Sequence, residues 1–222
     1  MKWLIPTSLL AVAGVLFYRA IKYVPQPDDG QPLDDSADQT NTVIDDMTVA
    51  AQTAIETATG QSAPAVSNDV AMRNRKAFLD MIAISEGTYD AGDAGYLMMF
   101  GGRMADSFEV HPRQMFSFTN SRGEQLKTTA AGRYQFLAKT WDALAAKLGL
   151  PDFSPASQDA AALELVREKG ALPDVDAGRV QVAITKCAKI WASLPGAGYA
   201  QPERKLSYLM AAFTNAGGMM VA

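Results

Sequence analysis

Apolar residues recur with a helical period in several separated stretches of the 222-residue chain. In "RKAFLDMIAISE", Phe78, Leu79, Ile82 and Glu86 fall on one stripe, because residues three, four, seven and eight apart share a helix face. The spacing predicts a helix over 73–86 that stops at Gly87, a residue suited to a left-handed cap. Residues 88–127 lose that period and carry glycines at 92, 95, 101, 102 and 123, the pattern of a small sheet with turns. The period returns with Phe136, Leu137, Thr140, Trp141 and Leu144, and Gly149 and Pro151 supply the stop. Ser154, Pro155 and Gly170 bracket the next helix as cap, first helical residue and terminator. Two further helices are predicted over 178–191 and from Pro202 toward Asn215. Five helices beside a small glycine-rich lobe describe an α+β fold with the helices segregated.

The first third of the chain reads differently. Trp3 to Tyr18 contains no charged residue, and with Ile21 the apolar character lasts long enough to approach a membrane span. An uncleaved transmembrane anchor over 1–24 is expected, with a cleaved signal peptide and a buried soluble helix as the competing readings. Residues 25–70 are rich in Asp, Pro, Gln, Ser and Thr, the composition of a flexible acidic tether. Residues 71–222 then form the globular domain. The expected location is membrane-anchored through the N-terminal helix, with other virion or membrane proteins as further partners.

Charge matters once it is divided by region. The formal net of −4 conceals nine acids and no base over 25–70, and a nearly balanced, slightly basic domain after residue 70. That balance lacks the concentrated positive charge of a nucleic-acid binder, so no nucleic-acid partner is expected. The single histidine, His111, and single cysteine, Cys187, leave His-rich and Cys-rich metal sites without ligands, and no metal or cofactor is expected. Cys187 lies in a periodic apolar run and reads as a buried thiol. His111 reads as a packed or hydrogen-bonded loop residue.

Glu86 is the anomaly, a charge on the buried edge of its helix. Burial penalises the charged form and raises the pKa, which is what a general acid needs at neutral pH. The position also falls where a helix meets the glycine-rich lobe, a junction that leaves a cleft. Tyr96, Arg133, Tyr134, Gln135 and Tyr199 supply polar and aromatic groups suited to binding sugar, together with Tyr89. Asp90, Asp93, Asp106 and Glu109 are candidates for a second carboxylate of the kind most glycosidases use, and no spacing selects among them.

The segments "RKAFLDMIAISEGT", "TTAAGRYQFLAKTWDALAAKLGLPDFSPASQDAAAL", "EKGALP" and "IWASLPGAGY" together closely resemble the lambda type of phage endolysin, over about residues 72–218. The resemblance implies a lysozyme-like fold and lytic transglycosylase activity on the glycan strands of peptidoglycan. It implies cleavage of the β-1,4 bond between N-acetylmuramic acid and N-acetylglucosamine, leaving a 1,6-anhydromuramic end without water as nucleophile. The family's catalytic glutamate sits in its "SEGT" motif, which here is Ser85 to Thr88, so that role falls to Glu86 and no second catalytic carboxylate is required. The "GRYQ" motif matches Gly132 to Gln135 and implies that Tyr134 and Gln135 bind in the cleft or hold Glu86. Where the family has an aspartate after the tyrosine matching Tyr96, this chain has Leu97, and "NSRGEQLK" resembles an insertion at the lobe rim. A hydrolytic lysozyme and a catalytically weak wall-binding virion protein are the alternatives that these departures leave open.

Overall fold

The structure, a computed structural model, describes residues 66–199 and 201–221. Helix α1 (Asn68–Glu86) begins earlier than its apolar stripe, because Ser67 caps it by accepting from the Val70 amide. A 3-10 segment (Tyr89–Leu97) leads to β1 (Met98–Met99), which pairs antiparallel with β2 (Arg103–Met104). Strands β3 (Phe116–Thr119) and β4 (Gln125–Thr128) form an antiparallel hairpin. The insertion-like stretch supplies the tip of this hairpin and most of β4. Asn120 accepts from the Arg122 and Glu124 amides there and so fixes the turn.

Four of the expected helices are completed by α2 (Ala138–Leu148), α3 (Pro155–Glu168), α5 (Val180–Cys187) and α6 (Leu206–Asn215). A short extra helix, α4 (Leu172–Asp176), lies between α3 and α5. Ser154, Pro155 and Gly170 take their expected places at the ends of α3. Phe136 and Leu137 do not open α2. Ala131 and Phe136 pair backbone to backbone, and Gln135 between them has a positive φ of 51°, so the chain turns before the helix starts.

Helix α1 passes through the centre and packs against α4 and α6. Phe78, Met81, Ile82 and Ala83 are fully buried with Phe136, Trp141, Phe153, Ile184, Trp191 and Phe213 in one core. Buried Asn74 locks the first turns of α1 to the end of the domain. Its Nδ2 donates to the Asp176 and Met219 carbonyls, and its Oδ1 accepts from the Met219 amide.

Among the described residues no helix is long and apolar enough to cross a membrane. The longest, α1, carries Asp69, Arg73, Arg75, Lys76, Asp80 and Glu86, and charges of that number are too costly in hydrocarbon. The segments read as anchor (1–24) and as most of the tether (25–65) lie outside the described residues. Over the described residues the fold is therefore corrected to an α+β domain, lysozyme-like in its mix of helices and small antiparallel strands, in which no helix spans a membrane. Among the described residues no helix supplies the membrane partner or the membrane-anchored location expected of the chain, and those two expectations are corrected on that finding.

Candidate active site

The residues of "SEGT" are each fixed by a separate local cause. Gly87 adopts the left-handed conformation (φ 76°, ψ 22°) that ends α1, and its amide reaches back to the Ala83 and Ile84 carbonyls. Thr88 is buried, and its hydroxyl contacts the Ala83 carbonyl at 3.2 Å and the Arg133 carbonyl at 2.6 Å. Glu86 is thereby held as the last residue of the helix, half-buried, on the same stripe as buried Phe78, Leu79 and Ile82. A helix C-terminus carries partial negative charge, an additional penalty on the carboxylate.

Its partners come from distant sequence. Ser193 Oγ donates to Glu86 Oε1 at 2.6 Å, and Ser85 Oγ donates in turn to Ser193 Oγ at 2.6 Å. The Ser193 carbonyl accepts from the Arg204 amide at 2.8 Å, while Arg204 Nε reaches the Ser85 carbonyl at 3.4 Å. Burial raises the Glu86 pKa to about 7, against the opposing pull of the Ser193 hydrogen bond and the positive charge of Arg204. A carboxylic acid so placed holds a proton near neutrality and can return to the ionised form after giving it up. Nothing in the local pattern of the sequence singles out Ser193 or Arg204. The quoted segment "IWASLPGAGY" contains the first and stops short of the second.

Four of the expected binding residues, Tyr89, Tyr96, Arg133 and Tyr134, meet in a second place. Arg133 lies between the rings of Tyr89 and Tyr96, 5.1 and 5.0 Å from their centroids. Its Nη2 pairs with Asp80 Oδ1 at 2.9 Å, and Lys76 Nζ takes Asp80 Oδ2 at 2.7 Å. Tyr96 and Tyr134 both donate to Asp159 Oδ1, at 2.9 and 2.6 Å, and their rings meet edge to face. Burial pushes the Tyr96 phenol up to about 12 and the Tyr134 phenol higher still, so both stay protonated donors. These groups line a cavity of about 590 Å³ that includes Asp80, Asp90 and Asp93 and does not include Glu86.

Gln135 and Tyr199 join neither group. Gln135 is buried, and its Nε2 donates to the Met98 and Gly132 carbonyls, which makes it a brace of the turn ahead of α2. Tyr199 donates to the Lys189 carbonyl at 3.1 Å, packs on Ala192 and Ala197, and lies beneath the Lys189 ammonium. Gln158 was not foreseen and holds the "GRYQ" turn in place. Its Oε1 accepts from the Arg133 amide, and its Nε2 donates to the Tyr96 and Phe153 carbonyls. Gly132 is required beside it, since its φ is 82° and an added Cβ would stand 2.2 Å from Gln158 Oε1.

His111 is buried in the loop, with Nδ1 accepting from the Arg113 amide and Nε2 facing the Phe136 carbonyl at 2.8 Å. This assigns the neutral tautomer protonated on Nε2, and burial lowers its pKa. Cys187 is buried and its thiol is pushed up to about 12, which removes it as a nucleophile. Among the described residues no group of three or more His, Cys, Asp or Glu side chains is placed to hold a metal ion.

A helical domain with a small β lobe and a proton-holding glutamate at their junction defines the class of lysozyme-like glycan-cleaving enzymes. The comparisons narrow the class. The Endolysin family profile matches residues 76–220. The endolysin of Escherichia phage lambda is 50% identical over 149 residues, covering 65% of this chain and 91% of that protein. The endolysin of Escherichia phage P2 is 44% identical over 158 residues, covering 66% and 94%. The structure of bacteriophage lambda lysozyme complexed with a chitohexasaccharide is similar at a TM-score of 0.62 and 48% identity, over 67% of this chain and 97% of that one. The chain belongs to the endolysin family.

Proposed function

We propose that Glu86 is the acid and base through which this endolysin works. The chain is a peptidoglycan lytic transglycosylase. It cleaves the β-1,4 bond between N-acetylmuramic acid and N-acetylglucosamine and leaves a 1,6-anhydromuramic end. In the proposed sequence Glu86, protonated, gives its proton to the glycosidic oxygen as the bond from that oxygen to C1 of the muramic residue breaks. The resulting carboxylate then takes the proton of the C6 hydroxyl as that oxygen bonds to C1. The proton lost in the first step is recovered in the second, and no water is consumed.

The observation that carries this reading is the environment of Glu86, which burial poises near pH 7 while the Ser193 hydroxyl fixes its Oε1. With Oε1 engaged, the exchanged proton is assigned to Oε2. A single group with a pKa near the working pH serves both as donor and as acceptor, so a paired carboxylate is not needed. Tyr96 and Arg133 contribute through the cavity they line, and Tyr134 supports them from behind. Gln135 and Tyr199 act by shaping the turns that frame the site.

The test is digestion of purified peptidoglycan by the full chain and by Glu86→Gln, with mass analysis of the released ends. Anhydromuramic ends from the wild type and a rate at least about 100-fold lower for the variant are expected, the usual minimum for a general acid-base group. Reducing ends would make the chain a hydrolase, and unchanged cleavage by the variant would remove Glu86 from the mechanism.

A further inference from the structure

The cavity beside Tyr89 is not used by the chemistry at Glu86, and its charges are unevenly matched. Exposed Lys76 and buried Arg133 both pair with Asp80, which offsets one of the two positive charges of the wall. Asp159 is occupied by two phenol hydroxyls. Asp90 and Asp93 remain, both exposed and both on the cavity wall. An acidic rim of this kind favours an ammonium group and repels phosphate or free sugar acids.

The deeper wall makes the opposite demand. Arg133 is buried, its Cζ lies over the rings of both Tyr89 and Tyr96, its Nη1 donates to the Gly92 carbonyl and its Nη2 to Asp80, and its Nε alone has no hydrogen-bond partner. Buried donors are rarely left so, and the orphaned Nε–H calls for an oxygen acceptor. The space, about 590 Å³, suits a small polar group. A group that carries an ammonium and a carboxylate on one carbon meets both demands, whereas an uncharged sugar meets neither.

We propose that this cavity binds the zwitterionic amino-acid end of a peptidoglycan stem peptide, on the strand whose glycan is cleaved at Glu86. The inference rests on the function proposed above. The hydrogen bond from Thr88 to the Arg133 carbonyl ties the cavity directly to the turn that follows Glu86, so peptide and sugar are engaged side by side. The ammonium sits at Asp90 and Asp93 and the carboxylate at the Arg133 edge. The enzyme thereby prefers strands whose peptides retain a free amino-acid end.

Calorimetry with the full chain tests this without any cleavage. The probe is the soluble tripeptide L-alanyl-γ-D-glutamyl-diaminopimelate, acetylated at its alanine, with and without a second acetyl group on the diaminopimelate amine. Saturable binding of the free-amine probe is expected, at least 10-fold weaker after the second acetylation, and at least 5-fold weaker in the Asp90→Asn, Asp93→Asn double variant. Absence of saturable binding, equal binding of the doubly acetylated probe, or unaltered binding by the double variant overturns the proposal. Because both substituted side chains are exposed, a circular dichroism melt matching wild type verifies the fold. The catalytic reading stands apart, since the same titration on Glu86→Gln reports binding whatever that variant does to glycan.

Discussion

Ser193 stands 107 positions beyond Glu86 in the chain and donates a hydrogen bond to its carboxylate at 2.6 Å. The contact has two consequences of opposite sign. It stabilises the ionised form, which burial disfavours, and it fixes the orientation of the acid. Glu86 therefore rests near pH 7 as a balance between burial on one side and Ser193 with Arg204 on the other.

That balance sets the pH dependence of cleavage. The proton on Glu86 is needed for the first step, so kcat/KM falls as pH rises through about 7. Ser193→Ala removes a contact that favours the charged form, and the descending limb moves to higher pH. Ser193→Thr keeps the hydroxyl and holds the limb in place. Arg204→Gln moves it in the same direction as Ser193→Ala. A pH-rate profile checks all three, and a limb unmoved in Ser193→Ala would separate Ser193 from the acid.

The same shift acts on stability. The folded pKa of about 7 lies above the ordinary value of 4.5, so the folded state holds the proton more tightly than the unfolded chain. Stability from this group is full below about pH 4.5 and is lost as pH rises toward 7. Glu86→Gln, neutral at every pH, is expected to melt higher than wild type at pH 8 and nearly with it at pH 4. Melting curves at the two pH values decide this, and an advantage for the variant at pH 4 alone would contradict it.

Asp80 answers two cations, and the side chain of Arg133 is only 8% exposed. Removing the anion leaves a buried guanidinium without its partner, a loss on the order of 3–5 kcal/mol. Asp80→Ala should lower the free energy of unfolding by that amount in urea titration. Adding Arg133→Met to the same chain should recover part of the loss, because the stranded charge is then gone.

Gly132 meets two constraints at once, a positive φ and the Gln158 amide against its α-carbon. Gly132→Ala is expected to cost about 2–4 kcal/mol from backbone strain and crowding. The urea midpoint should fall with little change in slope. Gln158 also holds the Tyr96 and Phe153 carbonyls, so the damage should reach the cavity.

Local features of this protein were readable in the order of its residues. The stripe of Phe78, Leu79, Ile82 and Glu86, the stop at Gly87 and the ends of α3 depend on neighbours within a turn or two, and each is found as expected. Phe136 and Leu137 kept the helical period but lie ahead of α2, because the left-handed Gln135 and the Ala131 to Phe136 pairing override periodicity. The pairing of Arg133 with Asp80 spans 53 positions, and no spacing rule links them. Gln135 and Tyr199 had the right chemistry for sugar, yet their hydrogen bonds are committed to the backbone. Side-chain type proposes a role, and the path of the chain decides whether the group is free to take it.

Two of the hydrogen bonds of Asn74 join α1 to Met219, near the end of the domain, and a third joins it to the Asp176 carbonyl at the end of α4. A pull on the domain through α1 and its last residues would load the two bonds to Met219, which join those segments directly. The domain is clasped where its first helix and its last residues meet, so tension applied there falls on that clasp.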